Sequence, residues 1–403
     1  MILLPILILL VIVLVKSQKG MFAAFLVIVA TKSIMDAFWN IRIGPLSFSS
    51  VGGILVPFLF YPILFEKKKF PKSWKLNATF LTLALSMSLI FALPVKPFVT
   101  IENTLLFFNI YMGFFLIPGL VTDRRKLQQL LVAIIVAGIF PIAVSVFQFQ
   151  TGIIFYERET VGLTRHVGFY HDAFPVRFYG LMTIIATLMY FQFFKPSGIK
   201  KYALYILVFS AFFSVYLVFS KAGVGIIGLW IALIMLFSKS KVKQSIAVVI
   251  ALAVMYLIFG DVVYGNIEQL FSKEVGYNSG EIQDVRYTLA GRGHVWEAYW
   301  NFWLNEQSLF FQIFGDGLNR PAHNEFLRIL LSSGIVGVVI FIFFIIRMFL
   351  SVFKANHDYR LFGLMILTMF LADCTGLMPG NYYFYNILIW GLVGLISLNK
   401  SLD

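Results

Sequence analysis

Apolar runs of about bilayer length, separated by short basic connections, constrain this chain more than any other feature. A helix needs about 20 mostly apolar residues to cross the hydrocarbon layer. Such runs fall at 1–15, 20–35, 51–65, 77–94, 102–121, 127–149, 178–194, 202–219, 222–238, 244–260, 324–346, 360–378 and 382–398. The first two are short, so the expected count is twelve or thirteen spans. Hydrophobic residues make up 60% of the 403 and charged residues 13%, against about 25% charged in a soluble domain. Surface-to-volume scaling gives a soluble fold no place for so much apolar side chain. The sequence therefore predicts an all-α, polytopic transmembrane helix bundle. No linker, repeat or low-complexity tract divides residues 1–403, so a single integral membrane domain is expected.

Lys and Arg set the orientation. One set of connections carries Lys67–Lys69, Lys72 and Lys75; Arg124, Arg125 and Lys126; and Lys195, Lys200 and Lys201. It continues with Lys239, Lys241 and Lys243, then Arg347, Lys354 and Arg360. The alternate connections hold little beyond Lys32, Arg42, Lys96 and Lys221, and the alternation persists over ten connections. The positive-inside rule makes the first set cytoplasmic. Multi-pass membrane insertion follows as the expectation, with the alternate connections on the outer face. Met1 to Val15 lacks a basic n-region and a small-x-small cleavage site, so a cleaved signal is not expected there.

The net charge of +13 does not indicate nucleic acid, because the basic residues sit in loops between apolar runs. Cys374 is the single cysteine, which excludes an intramolecular disulfide or a thiolate cluster. No His, Cys or carboxylate grouping has metal-site spacing, so neither a metal nor another cofactor is expected.

Two longer connections, 150–177 and 261–323, fall on the side opposite the basic set and are rich in aromatics. Long loops in compact proteins tend to carry function. In the second, Trp296, Trp300 and Trp303 recur at steps of four and three beside Tyr299, which predicts an amphipathic helix lying at the headgroup level. Arg158 and Arg177 read as contacts to lipid headgroups, and Arg286 as a partner of Asp284 or another acid of its loop. Asp373, inside a predicted span, is costly unless paired.

Arg320-Pro321-Ala322-His323-Asn324-Glu325 directly precedes an apolar run. Pro321 suits a helix start, which would put His323 and Asn324 in the first turn. There the positive end of the dipole favours anions and a neutral imidazole able to accept a proton. Nine residues on, Gly334 and Gly337 stand three apart, spacing that lets a neighbouring membrane helix approach closely.

This arrangement, His-Asn followed after nine residues by Gly-x-x-Gly, resembles the signature of the O-antigen ligase and Wzy-type polymerase superfamily. Arg292 with Trp296, Gly315-Asp316-Gly317, Ser220-Lys221-Ala222-Gly223 and Arg165-His166-Val167-Gly168-Phe169 resemble further family motifs. Lys221 departs from the usual arginine, keeping the charge but not the bidentate fork. The resemblance implies a metal-independent glycosyltransferase that moves a glycan from undecaprenyl pyrophosphate to a hydroxyl acceptor at the periplasmic face. His323 and Arg292 would be catalytic, Arg292, Lys221 and Arg165 would bind the pyrophosphate, and Asn324, Gly334 and Gly337 would support the site. Its partners would be the lipid-linked donor, a glycan or lipid A–core acceptor, membrane lipids, and chain-length-regulator or export-complex proteins. A polymerase is preferred, since nothing points to lipid A. The alternatives are an O-antigen ligase and, as a non-enzyme, a lipid-glycan flippase, against which the nearly charge-free spans argue.

Overall fold

The computed structural model describes residues 18–43, 46–47, 60, 83–84, 86–98, 100, 113–237, 260–261 and 263–398. The predicted runs at 1–15, 51–65 and 244–260, the first part of 77–94, most of 102–121, and the basic residues 67–75 and 239–243 lie outside or largely outside these. The described chain is an all-α bundle of membrane-spanning helices with only two short hairpins.

Its helices are α1 (Gln18–Ala37), α2 (Arg124–Thr151), α3 (Ala173–Phe194), α4 (Gly198–Leu217) and α5 (Lys221–Phe237). After the second long connection come α9 (Glu325–Phe353), α10 (His357–Gly376) and α11 (Tyr383–Leu398). The connection itself holds α6 (Ser272–Ser279), α7 (Arg292–Asn301) and α8 (Leu309–Phe314). Six helices are long and apolar enough to cross a membrane; α5 and α11 are shorter apolar helices. These eight coincide with eight predicted runs.

Caps fix where the helices begin. Asp123 accepts from the Lys126 N–H at 2.9 Å to start α2, and Gly152, at φ +70°, ends it. The 28 residues of α2 rise about 42 Å, enough to cross a bilayer and its interfaces. Asp172 caps α3 through the Ala173 N–H at 2.5 Å, so the helix starts earlier than the expected loop of 150–177 allows. Arg177 consequently belongs to α3, not to the loop.

α11 is buried from Tyr383 to Ile396, as an all-apolar helix should be when it forms the centre of a bundle. Two of its glycines permit this. A Cβ on Gly394 would meet the Phe114 carbonyl oxygen at 2.0 Å, and one on Gly391 would meet the Ile117 side chain at 2.5 Å. Small residues let membrane helices pack backbone to backbone. α1 packs on α2, α2 on α3, α3 on α4, and α10 on α5, α9 and α11.

α2 to α5 alternate in direction, as do α9 to α11, giving the bundle two chemically different ends. Arg124–Lys126, Lys195, Lys200, Lys201, Lys354 and Arg360 gather at a basic end. The hairpin loop 152–172, the pieces α6 to α8 and the starts of α3, α5, α9 and α11 lie at the other, the loop end. Single cysteines at Asn278 and Lys200, both exposed, in a Cys374→Ala background should therefore react with an impermeant thiol reagent from opposite sides. Labelling of both from outside intact cells would overturn this topology.

Candidate functional site

Arg177, in the second turn of α3, is 4% exposed. Its Nη1 donates to Ser220 Oγ at 2.8 Å, its Nη2 to Asp373 Oδ1, and Phe174 lies beneath the guanidinium. Tyr385 donates its hydroxyl proton to Asp373 Oδ2 at 3.0 Å. Asp373 is thus paired, as its position in a span requires. Arg177 is not a lipid-headgroup contact, because the cap at Asp172 draws it inside the bundle.

Two further arginines gather at the same end. Arg165 follows the hairpin of Glu159–Thr160 with Leu163–Thr164, and its Nη2 reaches the Phe219 carbonyl at 3.4 Å. Its buried Nε has no hydrogen-bond partner among the described residues, and the same holds for Arg177 Nε. Arg292 opens α7, behind Gly291 at φ +74°. Its guanidinium lies against the end of α10, where a Cβ on Gly376 would meet Nη1 at 2.7 Å. Arg292 makes no hydrogen bond or ion pair with another described residue.

The charges of these groups act on one another. Burial, then repulsion from Arg292, Arg177 and Arg158, pulls the Arg165 guanidinium below its usual pKa, with Asp172 opposing. Burial and Arg177 do the same to Arg292, against Asp172 and Tyr382. Cations held close in a partly dry site, with few acids to balance them, favour an anionic occupant.

His323 joins this group, though not as a first-turn residue. Asn324 is the N-cap of α9, accepting from the Leu327 N–H at 3.1 Å. His323 precedes the cap in the left-handed region, at φ +50°, and its side chain is exposed. Partial desolvation first and Arg292 second lower its pKa, with Asp172 opposing. The direction is as expected; the principal causes are desolvation and a neighbouring cation.

Lys221 is held elsewhere. Glu274 of α6 grips its Nζ with both carboxylate oxygens, at 2.7 and 2.5 Å, and the Phe271 ring lies 5.4 Å below. Lys221 is thus taken up by Glu274, and it is Arg177 whose charge acts on those of Arg165 and Arg292. The pairing neutralises Lys221 and ties α6 to the bundle. Arg286 likewise pairs with Asp284 and Glu297.

Of the two glycines after His323, Gly334 admits the close approach of a helix, the end of α8, and also breaks its own helix, while Gly337 does neither. At Gly334 the backbone of α9 breaks, with φ +65° and ψ −171°, a conformation only glycine adopts readily. A Cβ there would meet the Ile313 carbonyl oxygen at 2.2 Å. The chain after α8 runs alongside the break, and its Asp316 and Gly317 N–H groups donate to the carbonyls of Leu331 and Ser332 at 3.3 and 2.9 Å. A Cβ on Gly337 would strike Ser333 of its own helix at 2.4 Å, so Gly337 makes room for the break and not for another helix. Asp316, gripped by Arg320 at both oxygens, holds the loop that carries His323.

The predicted tryptophan stripe also divides. α7 passes into a π-helical turn over Phe302–Glu306; Trp303 is buried with Ala322 and Leu331, while Trp300 stays 48% exposed. Trp303 anchors the connection to α9, leaving Trp300 for the surface.

Sequence reasoning placed Arg165, Arg292, His323 and Asn324 here and missed Arg177 and Asp172. An acid and a base near the loop ends of two predicted spans, Asp373 and Arg177, were the available signal. No protein-family model matches this chain, and no curated protein matches it.

Proposed function

We propose that the chain is a metal-independent glycosyltransferase of the polysaccharide-polymerase type, working at the loop end of the bundle. It moves a glycan from undecaprenyl pyrophosphate to a hydroxyl of a second, growing glycan. The observation that carries this reading is the cluster of Arg165, Arg177 and Arg292, whose charges act on one another, with His323 beside Arg292, next to membrane-spanning helices. An amphiphile with a pyrophosphate head suits such a site, its isoprenoid in lipid and its charge among arginines.

In the reaction the acceptor oxygen bonds to the anomeric carbon while the bond from that carbon to the pyrophosphate oxygen breaks. The electron pair leaves with the lipid pyrophosphate, and the acceptor proton passes to the neutral imidazole of His323. Negative charge grows on the leaving group, and pre-placed guanidinium groups stabilise it without reorganisation. Arg292 is the main candidate, its side chain being unpaired among the described residues, whereas Asp373 already shares Arg177. The buried ion pairs Arg177–Asp373, Glu325–Arg328 and Lys32–Asp36 all lie near the loop end, which supports interfacial chemistry over a midmembrane transport path.

The test is transfer from a polyprenyl-pyrophosphate-linked glycan by purified protein in liposomes without an ion gradient. Arg292→Lys is expected to lose about 100-fold, since a point charge cannot span two phosphate oxygens as the guanidinium fork does. Wild-type turnover of Arg292→Lys, with high salt mimicking Arg292→Ala, would reduce the residue to a lipid-docking charge. Absence of transfer by the unaltered protein without a gradient would favour a flippase.

A further inference from the structure

At the opposite, basic end, a groove of about 510 Å3 opens between α1 and α2. Its mouth carries Arg125, Gln128 and Gln129, and its walls include Leu26, Val132 and Val136. Val132 and Val136 remain 43% and 44% exposed. From Arg125 to Val136 is eleven residues of helix, a rise of about 16 Å. That is about half of the roughly 30 Å hydrocarbon layer, so the groove runs the depth of one leaflet.

The three adjacent cations at the start of α2 differ in their engagements. Arg124 Nη2 donates to the Phe193 carbonyl at 2.7 Å and its guanidinium lies over Phe194. Lys126 Nζ donates to Thr122 Oγ1 at 3.0 Å and lies over Phe22. Arg125 has no such partner among the described residues. Gln128 donates its side-chain amide N–H to the Tyr190 hydroxyl at 2.9 Å, which fixes it at the groove mouth. An unmatched cation beside amide groups, above an apolar channel one leaflet deep, fits a phosphodiester headgroup with an acyl chain below it.

We infer that this groove is a binding site for one anionic glycerophospholipid of the leaflet on the basic side, with Arg125 on its phosphate and one acyl chain along α1 and α2. The site is independent of the proposed transfer reaction, since it lies at the other end of the bundle.

Native mass spectrometry of the full-length protein, released from nanodiscs of phosphatidylcholine doped with phosphatidylglycerol, reads lipid retention directly. One phosphatidylglycerol should persist on the unaltered protein. Its occupancy should fall roughly fivefold in Arg125→Ala, from loss of one interfacial cation, and vanish in Val132→Trp, which fills the channel. Lys200→Ala, which removes an exposed cation elsewhere at the same end, should retain it. Both test positions face out of the bundle, and an unchanged thermal transition will show that the variants fold. Equal retention in Arg125→Ala and Lys200→Ala would overturn the site, as would equal retention of phosphatidylcholine. Displacement of the lipid by soluble glycerol phosphate at similar concentration would reassign the groove to free anions and equally overturn it.

Discussion

His323→Ala is expected to lower transfer by about 10²- to 10⁴-fold, the range typical of a lost general base, while the protein still inserts and binds donor. The residue suits the role because partial desolvation and Arg292 hold its pKa below the ordinary 6.5, so at neutral pH the imidazole is free to take a proton. The sign of the pH dependence follows. Activity requires the neutral form, is present above the lowered pKa, and falls as pH drops through it, placing the acid limb below 6.5. Arg292→Ala removes one of the lowering causes and should move that limb upward in whatever activity remains. A lipid-docking histidine would show neither effect. The φ of +50° at His323 offers an internal control, since a non-glycine residue there carries about 1 to 2 kcal/mol of strain. His323→Gly should thus equal or exceed the parent in stability yet be as inactive as His323→Ala. Near-wild-type turnover of either variant would remove His323 from the chemistry.

Asp373→Ala is expected to cost about 3 to 5 kcal/mol of stability, the usual effect of removing one partner from a buried ion pair. The loss arises because Arg177, 4% exposed, keeps its charge with only Ser220 to meet it. Arg177→Met combined with Asp373→Leu should recover most of that stability, since two apolar groups leave no uncompensated charge behind. Unfolding of the protein in mixed micelles measures both. If Asp373→Ala unfolds like the parent, the pair is not what joins α3 to α10. If the double variant is stable but inactive, the pair is retained for its place among the arginines.

The helical spans and the alternation of basic connections were legible in the sequence because lipid imposes a strong local rule. Every backbone group within the hydrocarbon must be satisfied inside its own segment, so spans appear as continuous apolar runs wherever they occur. Local chemistry singled out His323 and Asn324, whose types suit a helix start, and the family resemblance singled out Arg292. What only the tertiary structure decided are contacts across long separations. Arg177 meets Asp373 across 196 residues and so moves from the lipid surface to the site, while Glu274 takes Lys221 away from it across 53. Gly334 and Gly337 carry spacing that fits helix packing equally well. The last turn of α8 crosses at Gly334, where the helix backbone also breaks, while Gly391 and Gly394 pack α11 at the bundle centre. Pairing of charges and close approach of backbones depend on which helices become neighbours, and hydropathy, which reports each span's affinity for lipid, carries no record of that choice.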